Sequence, residues 1–431
     1  MIRSRLSRKF ALCIGLGLTL SHATMVLGED WPTFRGPNRT SVVNDSKLLK
    51  SWPAEGPKLL WEGSGAGRGY SSLAIVDNKI YTLGDGLSTQ KDADEYLSCF
   101  DKATGKQLWA TKTGEALNDK RDAKWGSSRS TPTVDDGLVY VVTPEGQLVC
   151  CSASDGKLVW KKQFANDFGG KKADSWGYSE SVLVDGNKVI CTPGGATSTV
   201  VALDKKTGEK IWTCKNPDDR GAGHASIVIS KLGNQKVYVQ STGSGLMGFS
   251  ERGALLWTYP VDKTTAIIPT PIVRDDLVFF VAGYNRGGAL VKQVPSADGS
   301  VTIKEIFGLN NKLSNKHGGM VLVGQHLYGD SEDKGIPFCA DFMTGEEKWK
   351  TRGSGQGSAV VIAGGDRLYI RFQNGVMALA EVNPTEYKEV SSFKIPGSGD
   401  GARPSWSHPV ILEGKLYIRE QDKILCYDIR G

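Results

Sequence analysis

The stretch Ala202-Leu203-Asp204-Lys205-Lys206-Thr207-Gly208, with Trp212 four residues further on, decides how this chain is read, because it recurs. Cys99-Phe100-Asp101-Lys102-Ala103-Thr104-Gly105 leads to Trp109, and Cys339-Ala340-Asp341-Phe342-Met343-Thr344-Gly345 leads to Trp349. Looser copies run from Cys150 through Gly156 to Trp160 and from Met247 through Gly253 to Trp257. Counting from Trp61, which follows Gly56-Pro57-Lys58-Leu59-Leu60, successive Trp lie 48, 51, 52 and 45 residues apart, and the next step, 92 residues to Trp349, is two such steps. Phe307 is the expected stand-in for the missing Trp, and Phe393, 44 residues past Trp349, continues the series. A fixed period of this length marks a chain built of like supersecondary units.

Each unit opens with a Gly/Ser-rich approach, an apolar run, an Asp/Asn/Gly turn and a second apolar run, as in Ser130-Thr131-Pro132-Thr133-Val134, Asp135-Asp136-Gly137 and Leu138-Val139-Tyr140-Val141-Val142. Short runs rich in Val, Ile and Tyr between such turns are hairpin strands. The Asp-x-x-Thr-Gly segment fits a tight turn, since Asp and Thr side chains bond nearby backbone groups and Gly accepts a positive φ. Four strands per unit predict an all-β, eight-bladed β-propeller of four-stranded antiparallel blades. The last unit ends at Gly431 after three strands, so its fourth is expected from Lys58-Leu59-Leu60-Trp61, which closes the ring without an open edge. The Trp at the end of each outer strand, Trp61, Trp109, Trp160, Trp212, Trp257 and Trp349, is expected to wedge between blades, its indole N–H bonded to a carbonyl.

The first residues carry Arg3, Arg5, Arg8 and Lys9, then an apolar stretch from Ala11 to Leu20 and small residues. They read as a signal peptide over 1–28, cleaved between Ala23 and Gly28, with a single propeller domain over 29–431. The expected location is periplasmic or extracellular, with no transmembrane segment. The net charge of +6 falls to +2 once those four cations are removed, and Lys and Arg are interspersed with acids. No nucleic-acid partner is expected from such a surface. Seven of the eight Cys follow the signal, and Cys99, Cys150, Cys339 and Cys426 share one repeat position that Ala202 and Met247 fill elsewhere. They are expected to be buried thiols acting as small hydrophobes.

Ala202 to Trp212 resembles, nearly letter for letter, the tryptophan-docking repeat of the pyrroloquinoline quinone (PQQ)-like eight-bladed propeller family, and Trp31-Pro32-Thr33-Phe34-Arg35-Gly36-Pro37-Asn38 resembles the N-terminal motif of its secreted members. The family includes quinoprotein alcohol and glucose dehydrogenases and the non-catalytic BamB-like proteins of outer-membrane protein assembly. In size the chain is most similar to the BamB-like members, although Cys13 sits inside the apolar core of the signal and not at its end, unlike a lipoprotein Cys. The resemblance implies either a non-catalytic binding or assembly scaffold with envelope protein partners, or a PQQ-dependent dehydrogenase with a quinone and calcium. Quinoprotein alcohol dehydrogenases carry a vicinal disulfide over the quinone. Cys150 and Cys151, however, lie in a strand where neighbours point to opposite faces.

Chemistry on this fold belongs where the blades converge. By register the lining candidates are Arg68 and Tyr70, Trp125 and Arg129, Trp176 and Glu180, His224, Thr270, His317, Gln356, and Trp406 with His408. Of these, Tyr70, Arg129, Trp176, Glu180, His224, His317, Trp406 and His408 are the expected ligand- or cofactor-binding set. Three His from the fourth, sixth and eighth units should not meet at one metal, so no metal site is expected. No catalytic residue is assigned, and the favoured reading is a monomeric scaffold whose funnel meets an envelope protein or a small polar ligand.

Overall fold

The computed structural model describes residues 30–86, 94–117, 126–399 and 403–431. Residues 1–28, expected to be a signal peptide, and Trp125 lie outside them. Eight sheets follow in chain order. Blade 1 pairs Ala74–Val76, Lys79–Asp85, Asp94–Asp101 and Gln107–Glu115, all antiparallel. Blades 2 to 4 repeat this order, from Thr133–Asp135 to Leu158–Gln163, from Leu183–Asp185 to Lys210–Cys214 and from Val228–Leu232 to Leu255–Pro260. Blades 5 to 7 run from Ile272–Arg274 to Val301–Asn310, from Val321–Val323 to Glu347–Lys350 and from Ala359–Gly364 to Glu389–Lys394. Blade 8 has three C-terminal strands, Val410–Leu412, Lys415–Glu420 and Lys423–Asp428, and takes Lys58–Ser64 as its fourth, with Trp61 opposite Cys426. The expected closure by an N-terminal strand is present.

The inner strands are apolar on both faces because each blade is buried against two neighbours. Cys150, Tyr140 and Leu148 pack with Val189, Val201 and Leu203 of blade 3, whereas Cys151, Val139 and Val149 pack with Leu83, Leu97 and Cys99 of blade 1. Cys150 and Cys151 are thus free thiols on opposite faces of one strand, and burial pushes them up to about 12 and about 11.

The repeat's turn behaves as its residues dictate. Asp101 Oδ1 accepts from the Thr104 amide and hydroxyl at 2.9 and 2.7 Å, and Asp341 serves Thr344 in the same way. At six of the eight blade junctions the docking ring of one blade then sits on the turn glycine of the next. A Cβ on Gly208, whose φ is +72°, would lie 2.8 Å from the Trp160 ring, so glycine is required there both for conformation and for room. Phe307 meets Gly345 and Phe393 meets Gly56 in the same manner, which gives both the role expected of a Trp. The hydrogen bonds are less uniform than expected. Trp160 and Trp349 donate to the carbonyls of Lys205 and Asn383, and Trp257 to the Gln293 side chain, but Trp109 and Trp212 have no acceptor for Nε1. Trp61, Trp109 and Trp212 are only half-buried. Met247 is not the partner of Trp257, because the shorter turn of blade 4 brings Gly248 opposite it.

A β-bulge precedes each docking Trp and turns one extra residue outward, which leaves Leu108, Val159 and Ile211 more than two-fifths exposed. These exposed aliphatics are therefore a product of the repeat.

The segment after residue 30 fills the central channel, which the sequence did not foretell. Trp31 exchanges backbone hydrogen bonds with Ile75 of blade 1, and Pro32 O accepts from Val134 N of blade 2. Arg35 donates to the carbonyls of Gly318 and Met320 beside blade 6, and Arg39 to those of Ser181 and Val182 beside blade 3. Val42–Val43 then pairs in parallel with the first strand of blade 7. Five blades are stitched together by 13 residues, with two buried guanidinium groups bonded mainly to backbone carbonyls.

Candidate functional site

Around the channel, hydroxyl groups of successive blades tie the approach strands together. The amide of Ser72 donates to Thr131 Oγ1, that of Thr131 to Ser181 Oγ, that of Ser181 to Ser226 Oγ and that of Ser226 to Thr270 Oγ1, at 2.9–3.1 Å. Ser72 in turn donates its hydroxyl to the carbonyl of His408, which holds the equivalent place in blade 8. Two residues before these positions stand Tyr70, Arg129, Ser179, His224, Ile268 and Trp406. All six line one cavity of about 350 Å³ at the mouth of the filled channel. The scaffold positions repeat a small hydroxyl residue in five blades, while the six lining positions carry six different chemistries.

Phe34 from the channel segment and Trp176, Tyr284, Lys316, His317 and His408 complete much of the wall. Trp176 and Tyr284 are near-parallel, with centroids 6.4 Å apart, and His317 stacks on Trp406 at 4.1 Å. Arg129 lies 5.6 Å from the Tyr70 centroid and donates to the carbonyls of Ser127 and Trp176, and Lys316 Nζ lies 4.9 Å from the Tyr284 centroid. Aromatic faces and cations thus share the cavity.

Of the residues expected at the site, Tyr70, Arg129, Trp176, His224, His317, Trp406 and His408 line the cavity. Glu180 does not. It precedes Ser181 by one residue and so points away from the cavity, where its carboxyl accepts from the amide and hydroxyl of Thr192 and from Gln240. Burial pushes it up to about 8, against those hydrogen bonds and the charge of Arg39. Ser179 and Ile268 stand at the same two-residue offset as Arg129 and His224, one and two positions before the more conspicuous Glu180 and Thr270. Arg68 is paired with Asp85 and does not line the cavity.

His224 is held through both of its ring nitrogens. Its Nδ1 is 2.7 Å from Ser179 Oγ and its Nε2 is 2.8 Å from Asp174 Oδ2. The other oxygen of Asp174 accepts from the Trp176 amide at 2.9 Å. Burial opposes ionisation of Asp174, but the hydrogen bond and charge of His224, the Trp176 amide and Arg129 keep it below the usual carboxylate range.

His408 is a different kind of group. It is 7% exposed, packs edge-on to Phe34 and faces the His317 carbonyl. Burial, with Arg35 and Arg371 nearby, brings it down to about 3. An unfolded chain binds this proton below about pH 6.5. The folded chain resists it until about pH 3, so its contribution to stability is full above pH 6.5 and declines on acidification. The loss expected from this group at pH 5 is about 2 kcal/mol, and His408→Gln should flatten the slope. Urea unfolding of both proteins at pH 7 and pH 5 checks this, and equal slopes would contradict it.

The quinone and calcium implied by the family resemblance would need a flat floor and a cluster of oxygen ligands in this cavity. Trp176 and Trp406 offer flat faces, but Glu180 is turned away and Asp174 is engaged by His224. Among the described residues no three His, Cys, Asp or Glu side chains are grouped to hold a metal ion. The residues present do not fit a calcium-bound quinone.

The fold is that of a closed eight-bladed propeller with a funnel pocket. The chain belongs to the PQQ-like repeat family whose model, described as outer membrane protein assembly factor BamB, matches residues 93–351. It is 24% identical to the BamB of Yersinia pestis over 66% of this chain and 70% of that protein. It is 25% identical to the BamB of Burkholderia pseudomallei over 49% of this chain, and spans about half (48%) of that relative. The dehydrogenase subunit of the quinone alcohol dehydrogenase of Gluconobacter oxydans is 30% identical over 44% of this chain and 26% of that protein. Among solved structures, BamB from Moraxella catarrhalis superposes with a TM-score of 0.55 at 17% identity, covering 83% of this chain and 94% of that one. A europium-containing methanol dehydrogenase gives 0.65 at 14% identity, covering 90% and 89%. These likenesses carry the fold and leave the activity to the site. Among the described residues no helix is long and apolar enough to cross a membrane.

Proposed function

We propose that this is a cell-envelope recognition propeller, secreted by a cleaved signal over 1–28 and folded as one domain over 29–431, and that its funnel grips a group presented by an envelope partner. The observation that carries the reading is the convergence of six register-equivalent positions with six different side chains on one cavity. A scaffold alone has no need of such variety. The BamB relatives support the envelope setting. Aromatic walls with Arg129 and Lys316 suit a flat or acidic group, as recognition pockets combine apolar faces with a few placed polar ones. The quinoprotein reading is disfavoured because Glu180, its candidate calcium ligand, faces the scaffold.

The test is capture from an envelope extract by the parent and by Arg129→Ala/Lys316→Ala. The variant is expected to melt close to the parent and to lose most of the captured partner. Unaltered capture with a lowered melting temperature would make both side chains internal struts. Saturable binding of PQQ with calcium by the parent would restore the dehydrogenase reading. His408 is unsuitable for this test, since its burial makes it part of the fold.

A further inference from the structure

We propose that Ser179, His224 and Asp174 form a nucleophile, base and positioning carboxylate that hydrolyse a small aromatic ester bearing an acidic group. The inference goes beyond recognition, although it uses the same cavity.

The polarity of the chain of hydrogen bonds is what an acyl-transfer site requires. An ionised carboxylate can only accept, so Nε2 of His224 carries a proton directed at Asp174 Oδ2, 2.8 Å away. In the neutral imidazole Nδ1 is then the lone pair, and Ser179 donates its hydroxyl proton to it at 2.7 Å. A base bonded to the nucleophile and oriented by a third group is the general signature of activated serine. Asp174 is itself fixed by the Trp176 amide. The His224–Asp174 pair is nearly dry, with side chains 5% and 10% exposed, whereas Ser179 and His224 both reach the cavity wall.

The three residues do not belong to the repeated scaffold. In blade 3 the inter-blade hydroxyl is supplied by Ser181, and in blade 4 by Ser226. Ser179 and His224 stand two residues before them, where neighbouring blades carry Arg129 and Ile268. Asp174 comes from the loop leading into blade 3. The repeated hydroxyl link between blades 3 and 4 is thus already supplied by Ser181 and Ser226, and the serine facing a histidine is additional to it.

The cavity sets the substrate class. Its volume of about 350 Å³ is that of a small-ligand site. Trp176, Tyr284 and Trp406 give flat walls for an aromatic ring, and Arg129 and Lys316 supply positive charge for an acidic substituent and for a developing oxyanion.

In the first step Ser179 Oγ bonds to the ester carbonyl carbon and its proton passes to His224 Nδ1. The carbon–oxygen bond to the alcohol then breaks, and the alcohol leaves with that proton. Water then bonds to the acyl carbon and gives a proton to Nδ1; the bond from that carbon to Ser179 Oγ breaks, the acid leaves, and the proton on Nδ1 passes to Oγ. Ester and water become acid and alcohol, with no change in oxidation state.

A fluorophosphonate probe and p-nitrophenyl acetate test this on the full chain. The parent is expected to acquire one adduct, mapped by mass spectrometry to Ser179, and to release p-nitrophenol. Ser179→Ala should take no adduct, and turnover should fall on the order of 10³-fold or more in Ser179→Ala and His224→Ala. Asp174→Asn should lower kcat far more than KM, since it acts through the histidine. A folded parent, confirmed by a cooperative melt, that neither labels nor turns over the ester would overturn the proposal. So would an adduct on another residue, or a Ser179→Ala variant as active as the parent. Such an outcome would leave the recognition reading intact, because that reading is measured by capture.

Discussion

Deletion of residues 30–61 should abolish cooperative unfolding altogether. The segment supplies Lys58 to Trp61 of the fourth strand of blade 8, and without them Cys426, Tyr427 and Asp428 of the third strand lose their partners and become an unpaired edge. It also fills the channel, so Ile75 and Val134 lose backbone partners and the carbonyls of Ser181, Val182, Gly318 and Met320 lose the guanidinium donors. Val182 keeps the Thr133 hydroxyl as a donor, while each buried carbonyl left without one costs roughly 1–3 kcal/mol, against a total stability of about 5–15 kcal/mol. Calorimetry of the truncated chain should therefore show no native transition, with aggregation on concentration. Arg35→Ala/Arg39→Ala in the full chain separates the two roles, because the closing strand stays in place. It is expected to melt cooperatively, with a loss on the order of 4 kcal/mol, part of the cost being offset by no longer burying two charges. A soluble truncation with the parent's transition would show that blade 8 is closed in another way and that the channel need not be filled.

The architecture was legible because repetition turns weak local signals into one strong one. A single Thr-Gly turn before a Trp says little, but the same turn at a near-constant period yields blade number, strand order and even the phenylalanine substitutes at 307 and 393. The filled channel was not legible, because Trp31 to Arg39 occurs once and carries no period. Its conformation is set by carbonyls of blades far away in sequence. Arg35 and Arg39 look like surface charges in a list of residues, and only the fold shows that they are buried.

The site followed the same division. Register pointed to the cavity at Tyr70, Arg129, His224 and Trp406, since two-residue alternation fixes which side chains face inward. At blade 3 the offset shared by adjacent blades falls on Ser179, one position before the carboxylate of Glu180, which faces the scaffold. Asp174 and Tyr284 lie in loops, where no periodicity says which way a side chain turns. The tie from Asp174 through His224 to Ser179 is a product of loop geometry, and no spacing in the sequence announces it.

Trp160→Ala should cost about 3–5 kcal/mol, as expected for emptying a buried aromatic site. The ring is 9% exposed, lies 6.0 Å from Tyr140 and donates to the Lys205 carbonyl at 3.1 Å, so substitution both opens a cavity between blades 2 and 3 and removes one of two donors to that carbonyl, the other being the Tyr140 hydroxyl. Trp212→Ala should cost less, because that ring is half-buried and its Nε1 has no acceptor. Equal losses at the two positions, or a Trp160 variant melting within a degree or two of the parent, would contradict this account. The turn glycine beneath the ring supplies an independent check. Gly208→Ala carries two penalties, a left-handed backbone at φ +72° and a Cβ 2.8 Å from Trp160. Only the second disappears when the ring is absent. Urea unfolding of the double-mutant cycle should therefore show Gly208→Ala costing less in the Trp160→Ala background than in the parent, with a remainder of about 1–2 kcal/mol from the backbone. Strict additivity would mean that ring and turn do not touch in solution, and that the blades are held in register by their strands alone.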